Sequence, residues 1–253
     1  MAVRAEPDTG AAGDPVAWHD AENGGFAADL GLFARLAGER PGGVLDLGAG
    51  SGRVALRLAE AGHPVTAVDR DAGLLAALER RARERGLDVV TEHADARSLE
   101  LDRSFPLILA PMQLLHIVGG ASGRRRVLAA AARHLRRGGR FWAVVIEEPL
   151  PLGSGRPDPI PDVREVAGWV HSSLPVEVAI EPGSITMVRM RRLVAPDGTM
   201  TESRHVIRMD RFSLGELDRD ADAAGLAIVG CERLPRTVEH EDSVAVALEA
   251  RDG

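Results

Sequence analysis

The chain has no lysine, no tyrosine and a single cysteine, and its aromatic residues amount to only 3% of 253 positions. Each shortage excludes something. One thiol, Cys231, can form no intramolecular disulfide and no thiolate cluster for zinc. All 31 basic residues are arginine, which together with the abundant alanine points to GC-rich coding DNA rather than to a function. No apolar run approaches the roughly 18 residues that span a bilayer. The segment from Met1 to Pro15 is small, polar and acidic and lacks the apolar stretch of a signal peptide, so the expected location is cytoplasmic, with no membrane partner. A basic surplus is also missing. The formal net charge is −7, whereas a nucleic-acid binder usually carries excess arginine and lysine to neutralise phosphates, so no nucleic-acid partner is expected. What remains, 45% hydrophobic and 27% charged residues, suits a globular chain long enough to bury a proper core.

Hydrophobic patterning organises the chain. Residues 1–15 read as a disordered lead-in. Phe26, Leu30, Phe33 and Leu36 follow helical spacing within Ala17–Ala37. Strands are predicted at Gly43–Leu47, Pro64–Val68, Val89–Glu92, Leu107–Ala110 and Arg140–Ile146. Helices alternate with them at Gly52–Ala61, Asp71–Arg85 (closed by Gly86) and Arg124–Leu135. Such alternation predicts an α/β fold, a mostly parallel sheet with helices on both faces. After Ile146 the pattern changes. Glu147 to Asp162 holds five prolines and two glycines, which reads as a loop or lid. Strands Ile185–Val194 and Met200–Arg211 flank Pro196-Asp197-Gly198, a hairpin signal. Helix Leu214–Ala224 and strands Ala227–Cys231 and Ser243–Leu248 complete the chain. The expected organisation is therefore one α/β domain from residues 16–146 and 213–253, with an antiparallel β cap, residues 147–212, inserted to meet a substrate.

The most informative run is Val44-Leu45-Asp46-Leu47-Gly48-Ala49-Gly50-Ser51-Gly52-Arg53. A buried strand enters three alternating glycines and a helix starts directly after. Glycine there allows a sharp turn and lets a ligand approach the backbone, and the helix N-terminus offers free N–H groups to an anionic moiety. Asp69 closes the next strand at the spacing at which an acid binds ribose hydroxyls, the alternative being a helix N-cap.

These residues resemble the class I S-adenosylmethionine-dependent methyltransferases over roughly residues 17–146. The family signature, an acid, one residue, then G-x-G-x-G, is met in full by Asp46 to Gly52. The resemblance implies a Rossmann-like seven-stranded sheet whose last strand runs antiparallel, and S-adenosylmethionine as cofactor. It implies a cofactor set of Asp46, Gly48, Ala49, Gly50, Gly52, Asp69, Arg70, Asp95, Ala96, Ala110 and Gln113. In that set the glycines line the methionine part and Asp69 holds the ribose. Asp95 and the Ala96 N–H meet the adenine, unless Asp95 is a loop-surface carboxylate. Arg53 either pairs with the cofactor carboxylate or stands exposed. The stretch holding Trp18-His19-Asp20 and Asp29-Leu30 resembles the segment that covers the cofactor in small-molecule members.

Methyl transfer from a sulfonium is an in-line displacement, and alignment alone supplies roughly 7–11 kcal/mol of barrier reduction. A general base helps only where the nucleophile carries a proton whose loss matters. After the fourth strand, Pro111-Met112-Gln113-Leu114-Leu115-His116 carries neither an Asn/Asp-Pro-Pro-aromatic motif nor a magnesium ligand cluster, and the resemblance is closest to metal-independent enzymes that methylate an N or O of a small molecule of natural-product, amino-sugar or amino-acid type. His116 is the candidate general base and Glu147 a candidate substrate contact. His171, His205 and Arg208 read as a solvated strand face. A peptide N-terminus is the second substrate class. A non-catalytic cofactor-binding module and a nicotinamide dehydrogenase are the rival functions, and a homodimer is a possible assembly.

Overall fold

The computed structural model describes residues 13–146, 159–235 and 242–251. The chain divides into two compact units. Residues 27–146, 212–235 and 242–251 form one, and residues 13–26 and 159–211 the other.

The larger unit is a seven-stranded sheet. Its strands are β1 (Val44–Leu47), β2 (Val65–Asp69), β3 (Val89–His93), β4 (Phe105–Ala110), β5 (Leu135–Val145), β10 (Leu226–Leu234) and β11 (Ser243–Ala250), in the order β10-β11-β5-β4-β1-β2-β3. β11 is antiparallel to both neighbours, while the β1, β2, β3, β4 and β5 pairs are parallel. The expected sheet with an antiparallel last strand is thus observed. Strand alternation splits its residues between two cores. Val44, Leu107, Leu109 and Trp142 pack under α2 (Leu30–Glu39), α3 (Arg53–Glu60) and α4 (Ala72–Glu84). Leu45, Leu47, Ile108 and Phe141 pack under α5 (Gly120–His134) and α6 (Leu214–Asp222). Every residue of β1 is buried, as a central parallel strand requires.

The smaller unit is an antiparallel meander of β6 (Asp162–Val166), β7 (Trp169–Glu181), β8 (Ser184–Val194) and β9 (Met200–Asp210). The predicted hairpin is β8–β9, paired from Ser184/Asp210 to Val194/Met200. β6 and β7 escaped the hydrophobic pattern. β6 has no buried residue at all, while β7 mixes buried and exposed residues and shifts register between Pro175 and Glu177, so period-two alternation is blurred.

Other expectations need correction. The single helix Ala17–Ala37 is two, α1 (Pro15–Asn23) and α2, because the Gly24-Gly25 pair ends the first: the Gly24 N–H bonds back to the Asp20 carbonyl at 2.9 Å. α1 packs in the smaller unit, although residues 16–146 were expected to form one domain. Its start at Pro15, capped by the Asp14 side chain, shortens the expected lead-in, whose residues 1–12 lie outside the described residues. Residues 147–158 of the expected loop, Glu147 included, also lie outside them. His171 is not on a solvated face but buried at 2% exposure, whereas Arg208 is exposed.

Gly52 joins the glycine loop to α3 at φ 100°, and a Cβ there would stand 2.3 Å from Leu78 Cδ1. A left-handed non-glycine residue costs about 1–2 kcal/mol and overpacking about 1–3 kcal/mol. Gly52→Ala should therefore lower unfolding stability by roughly 2–5 kcal/mol, read from the denaturant midpoint. An unchanged midpoint would show that Leu78 yields freely.

Candidate functional site

The C-terminal ends of β1, β2, β3 and β4 converge on the glycine loop, the edge where open α/β sheets bind ligands. The loop is pinned to β2, since the Gly48 and Ala49 N–H groups donate to the Val68 carbonyl at 2.8 and 3.0 Å. Gly48 and Gly50 adopt φ of 68° and 55°. Leu114, beyond β4, lies so close that a Cβ on Gly48 would come within 2.9 Å of its Cδ1.

Asp69 organises this edge. Its Oδ2 accepts from the Gly50 N–H at 2.8 Å and its Oδ1 from the Asp71 N–H at 2.9 Å. The helix-cap role belongs to Asp71, which accepts from the Gly73 and Leu74 N–H groups. Asp69 therefore ties the end of β2 to the loop, and each carboxylate oxygen keeps a second lone pair for hydroxyl donors.

Asp46 is fully buried on the α2–α3 side of β1, and neither carboxylate oxygen has a hydrogen-bond partner among the described residues. Burial raises its pKa from the ordinary 3.8 to about 7; Asp29 and Asp69 add to the rise, while Arg53 and the nearby Ala55 backbone oppose it. Arg53 is committed elsewhere, for its guanidinium forks onto Asp29 with two bonds of 2.6 Å. It is thus not the exposed first-turn arginine of the sequence reading. Sequence reasoning placed Asp29 only within the stretch that resembles a cofactor cover and did not foresee its pairing with Arg53.

Asp95 and Ala96 follow β3. The Asp95 carboxylate accepts from the Arg97 N–H at 2.8 Å and is held by the Arg97 guanidinium at 2.5 Å. The Arg97 side chain is the main reason its pKa falls to about 2. Any adenine amino group must share that carboxylate with Arg97. Arg70 is exposed, with its carbonyl 3.0 Å from His93 Nε2, while Ala49 and Ala110 are buried. Gln113 and its neighbour Met112 hold φ of 57° and 49°. Two successive left-handed non-glycine residues at a strand's ligand-facing end are stored strain of the kind found at functional sites.

The geometry gives His116 a different task from the one expected. It is 1% exposed, and its Nε2 accepts from the Ile146 N–H at 3.0 Å, which fixes the proton on Nδ1. The ring also stacks on Phe212 at 4.3 Å. The Nε2 lone pair that a base would use is already committed. Ile146 is the last described residue before the chain leaves this unit and Phe212 the first after its return, so one imidazole fixes both crossings.

Comparison with known proteins agrees with this geometry. Residues 44–139 match the methyltransferase domain family. Over that segment the chain is similar to methyltransferase domains. A cypemycin N-terminal methyltransferase from Streptomyces sp is 34% identical over 112 residues, a segment covering 43% of this chain and 45% of that protein. The chain thus spans less than half the length of this relative. Among solved structures, an S-adenosylmethionine-dependent methyltransferase from Clostridium acetobutylicum superposes with TM-score 0.71 at 14% identity, covering 93% of this chain and 96% of the other. The sugar N-methyltransferase KedS8 from Streptoalloteichus sp does so at 0.73 and 20% identity, covering 100% and 99%. At such identities these two share the fold.

The residues at this edge fit S-adenosylmethionine, the cofactor named for the first of these structures. A buried carboxylate without a partner suits the ammonium of a methionine moiety.

Two outcomes follow. The folded chain binds the Asp46 proton more tightly than the unfolded chain, so stability without cofactor should fall as pH rises from about 4 through about 7. Asp46→Asn should flatten that slope in thermal melts and weaken cofactor binding; an unchanged slope would mean that Asp46 is solvated. His116→Ala should cost about 1–3 kcal/mol by orphaning the buried Ile146 N–H, while leaving turnover per folded molecule within a few-fold. A large loss of turnover at full stability would restore the general base.

Proposed function

We propose that this chain transfers the methyl group of S-adenosylmethionine to an amine nitrogen of a small molecule of the amino-sugar or amino-acid type. The observation that carries the reading is the strand–glycine loop–helix of residues 44–53, with Asp46 buried and unpartnered beneath it and Asp69 clamped on Gly50. Support for an amine comes from two directions, a fold shared with a sugar N-methyltransferase and a sequence likeness to a peptide N-terminal one. The second likeness favours a peptide N-terminus as the alternative acceptor. The N–H chemistry is common to both.

The bound cofactor supplies an electrophilic methyl group on a sulfonium. The chain's own contribution is placement. Asp46 takes the ammonium end, the Asp69 oxygens take hydroxyls, and the edge formed by Ala110 to Gln113 closes the floor beside the glycine loop. With the His116 lone pair committed to Ile146, the nucleophile must arrive with its own lone pair free, as an amine does after losing its proton to water. The second unit, residues 13–26 and 159–211, is the substrate-selecting part in this reading, because its separate meander departs from the cofactor fold.

The test is S-adenosylhomocysteine release with paired acceptors, an amine and its hydroxyl isostere, in amino-sugar and peptide series. Only amines should turn over, the rate should climb with pH through the amine's own pKa, and EDTA should have no effect. Turnover of hydroxyl isosteres alone, or binding of NAD in place of S-adenosylmethionine, would sink the reading.

A further inference from the structure

The smaller unit contains a pocket of its own, of about 210 Å³, lined by Gly13, Asp14, Val166, Trp169, His171 and Leu193 together with Ala167. His171 reaches it from β7. Its side chain is buried, and neither ring nitrogen has a hydrogen-bond partner among the described residues. A buried polar group without a partner is disfavoured unless a ligand or water completes it. Gly13 keeps the approach to the ring open, since a Cβ there would meet His171 Nε2 at 3.2 Å and Trp18 Nε1 at 2.5 Å. Ala167 and Gly168, at φ 50° and 82°, make the two-residue turn that pairs Val166 with Trp169 at the rim.

We propose that this pocket binds a small organic ammonium, held by the His171 imidazole and the Asp14 carboxylate against the Trp169 ring. Charge selects the class. Among the described residues no cationic side chain lines the pocket, and the one formal charge there is Asp14, an exposed carboxylate. Burial is the main reason the His171 pKa falls, with the Arg164 charge adding to it and Asp14 and the backbone of Trp169 and Arg164 opposing it; a neutral imidazole offers a nitrogen lone pair to a donor. Trp169, 42% exposed, presents an indole face of the kind that attracts cations. Two of the chain's three tryptophans meet here, Trp18 standing edge-on to His171 at 4.7 Å. The volume suits an amino-acid residue or a single sugar ring rather than a nucleotide. The pocket belongs wholly to the smaller unit, so the proposal does not depend on the methyl-transfer reading.

The test is a titration of the whole chain at neutral pH, following the Trp169 indole and His171 imidazole resonances by NMR. L-alaninamide represents a peptide N-terminus and glucosamine an amino sugar, with lactamide and glucose as their hydroxyl isosteres. At least one amine should bind saturably and about tenfold or more tighter than its isostere. Which amine responds distinguishes the two sources. His171→Phe and Asp14→Asn should each weaken binding about tenfold; asparagine still caps α1, so the second variant remains informative if the first does not fold. Silence toward both amines, equal binding of the isosteres, or undiminished binding in Asp14→Asn would each overturn the proposal.

Discussion

Asp46, near the end of β1, sits in a place where its ionised form has little to stabilise it. Burial strips its water, Asp29 and Asp69 lie near enough to repel it, and the Arg53 guanidinium forks onto Asp29. Replacing such a carboxylate with an apolar group would relieve the fold. The rise in its pKa to about 7 corresponds to roughly 4 kcal/mol held against ionisation, at about 1.36 kcal/mol per pH unit. A cationic ligand reverses that balance, because a charge-assisted hydrogen bond in a desolvated site is stronger than one in water. The site is thus destabilising by itself and stabilised by what it binds.

The glycine loop makes that arrangement possible. Gly48 and Gly52 leave no room for a Cβ against Leu114 and Leu78, and Asp69 holds Gly50 from the neighbouring strand. The same edge carries the strained Met112–Gln113 turn, which leads into the buried His116. His116 converts that turn into a clamp on the two points where the chain exits and re-enters the sheet. Arg124 reinforces the return side, 4.0 Å from the Phe212 ring centroid and bonded to the buried Asp220.

The sheet was legible because its strands are buried on both faces and therefore read as short apolar runs between turn signals. The glycine loop and Asp69 were legible because their spacing is a local property of the chain. What the sequence did not show depends on partners distant along the chain. Arg53 finds Asp29 on another helix, His116 finds Ile146 thirty residues on, and no periodicity reports such meetings. Asp95 fits an expected motif, yet the arginine two residues later competes for it. His171 alternates as a strand residue on either face would, and only the packing of α1 decides which face is covered.

That packing also explains why one helical pattern became two helices. Glu22, on α1, accepts from Ser173 at 2.7 Å and from Arg191 through bonds of 2.8 and 2.7 Å. Burial raises its pKa, but the hydrogen bonds from Arg191 and Ser173 outweigh it and hold the carboxyl below its ordinary range. Arg189 joins Ser173 to Asp162. Buried ion networks of this kind add little net stability, because desolvation offsets attraction; removing one partner, however, leaves a buried charge uncompensated. They therefore specify geometry more than they stabilise it. α1 is committed to the meander by charge, while α2 is committed to the sheet by Phe33 and Leu36. The Gly24-Gly25 pair ends α1, so each helix serves its own unit.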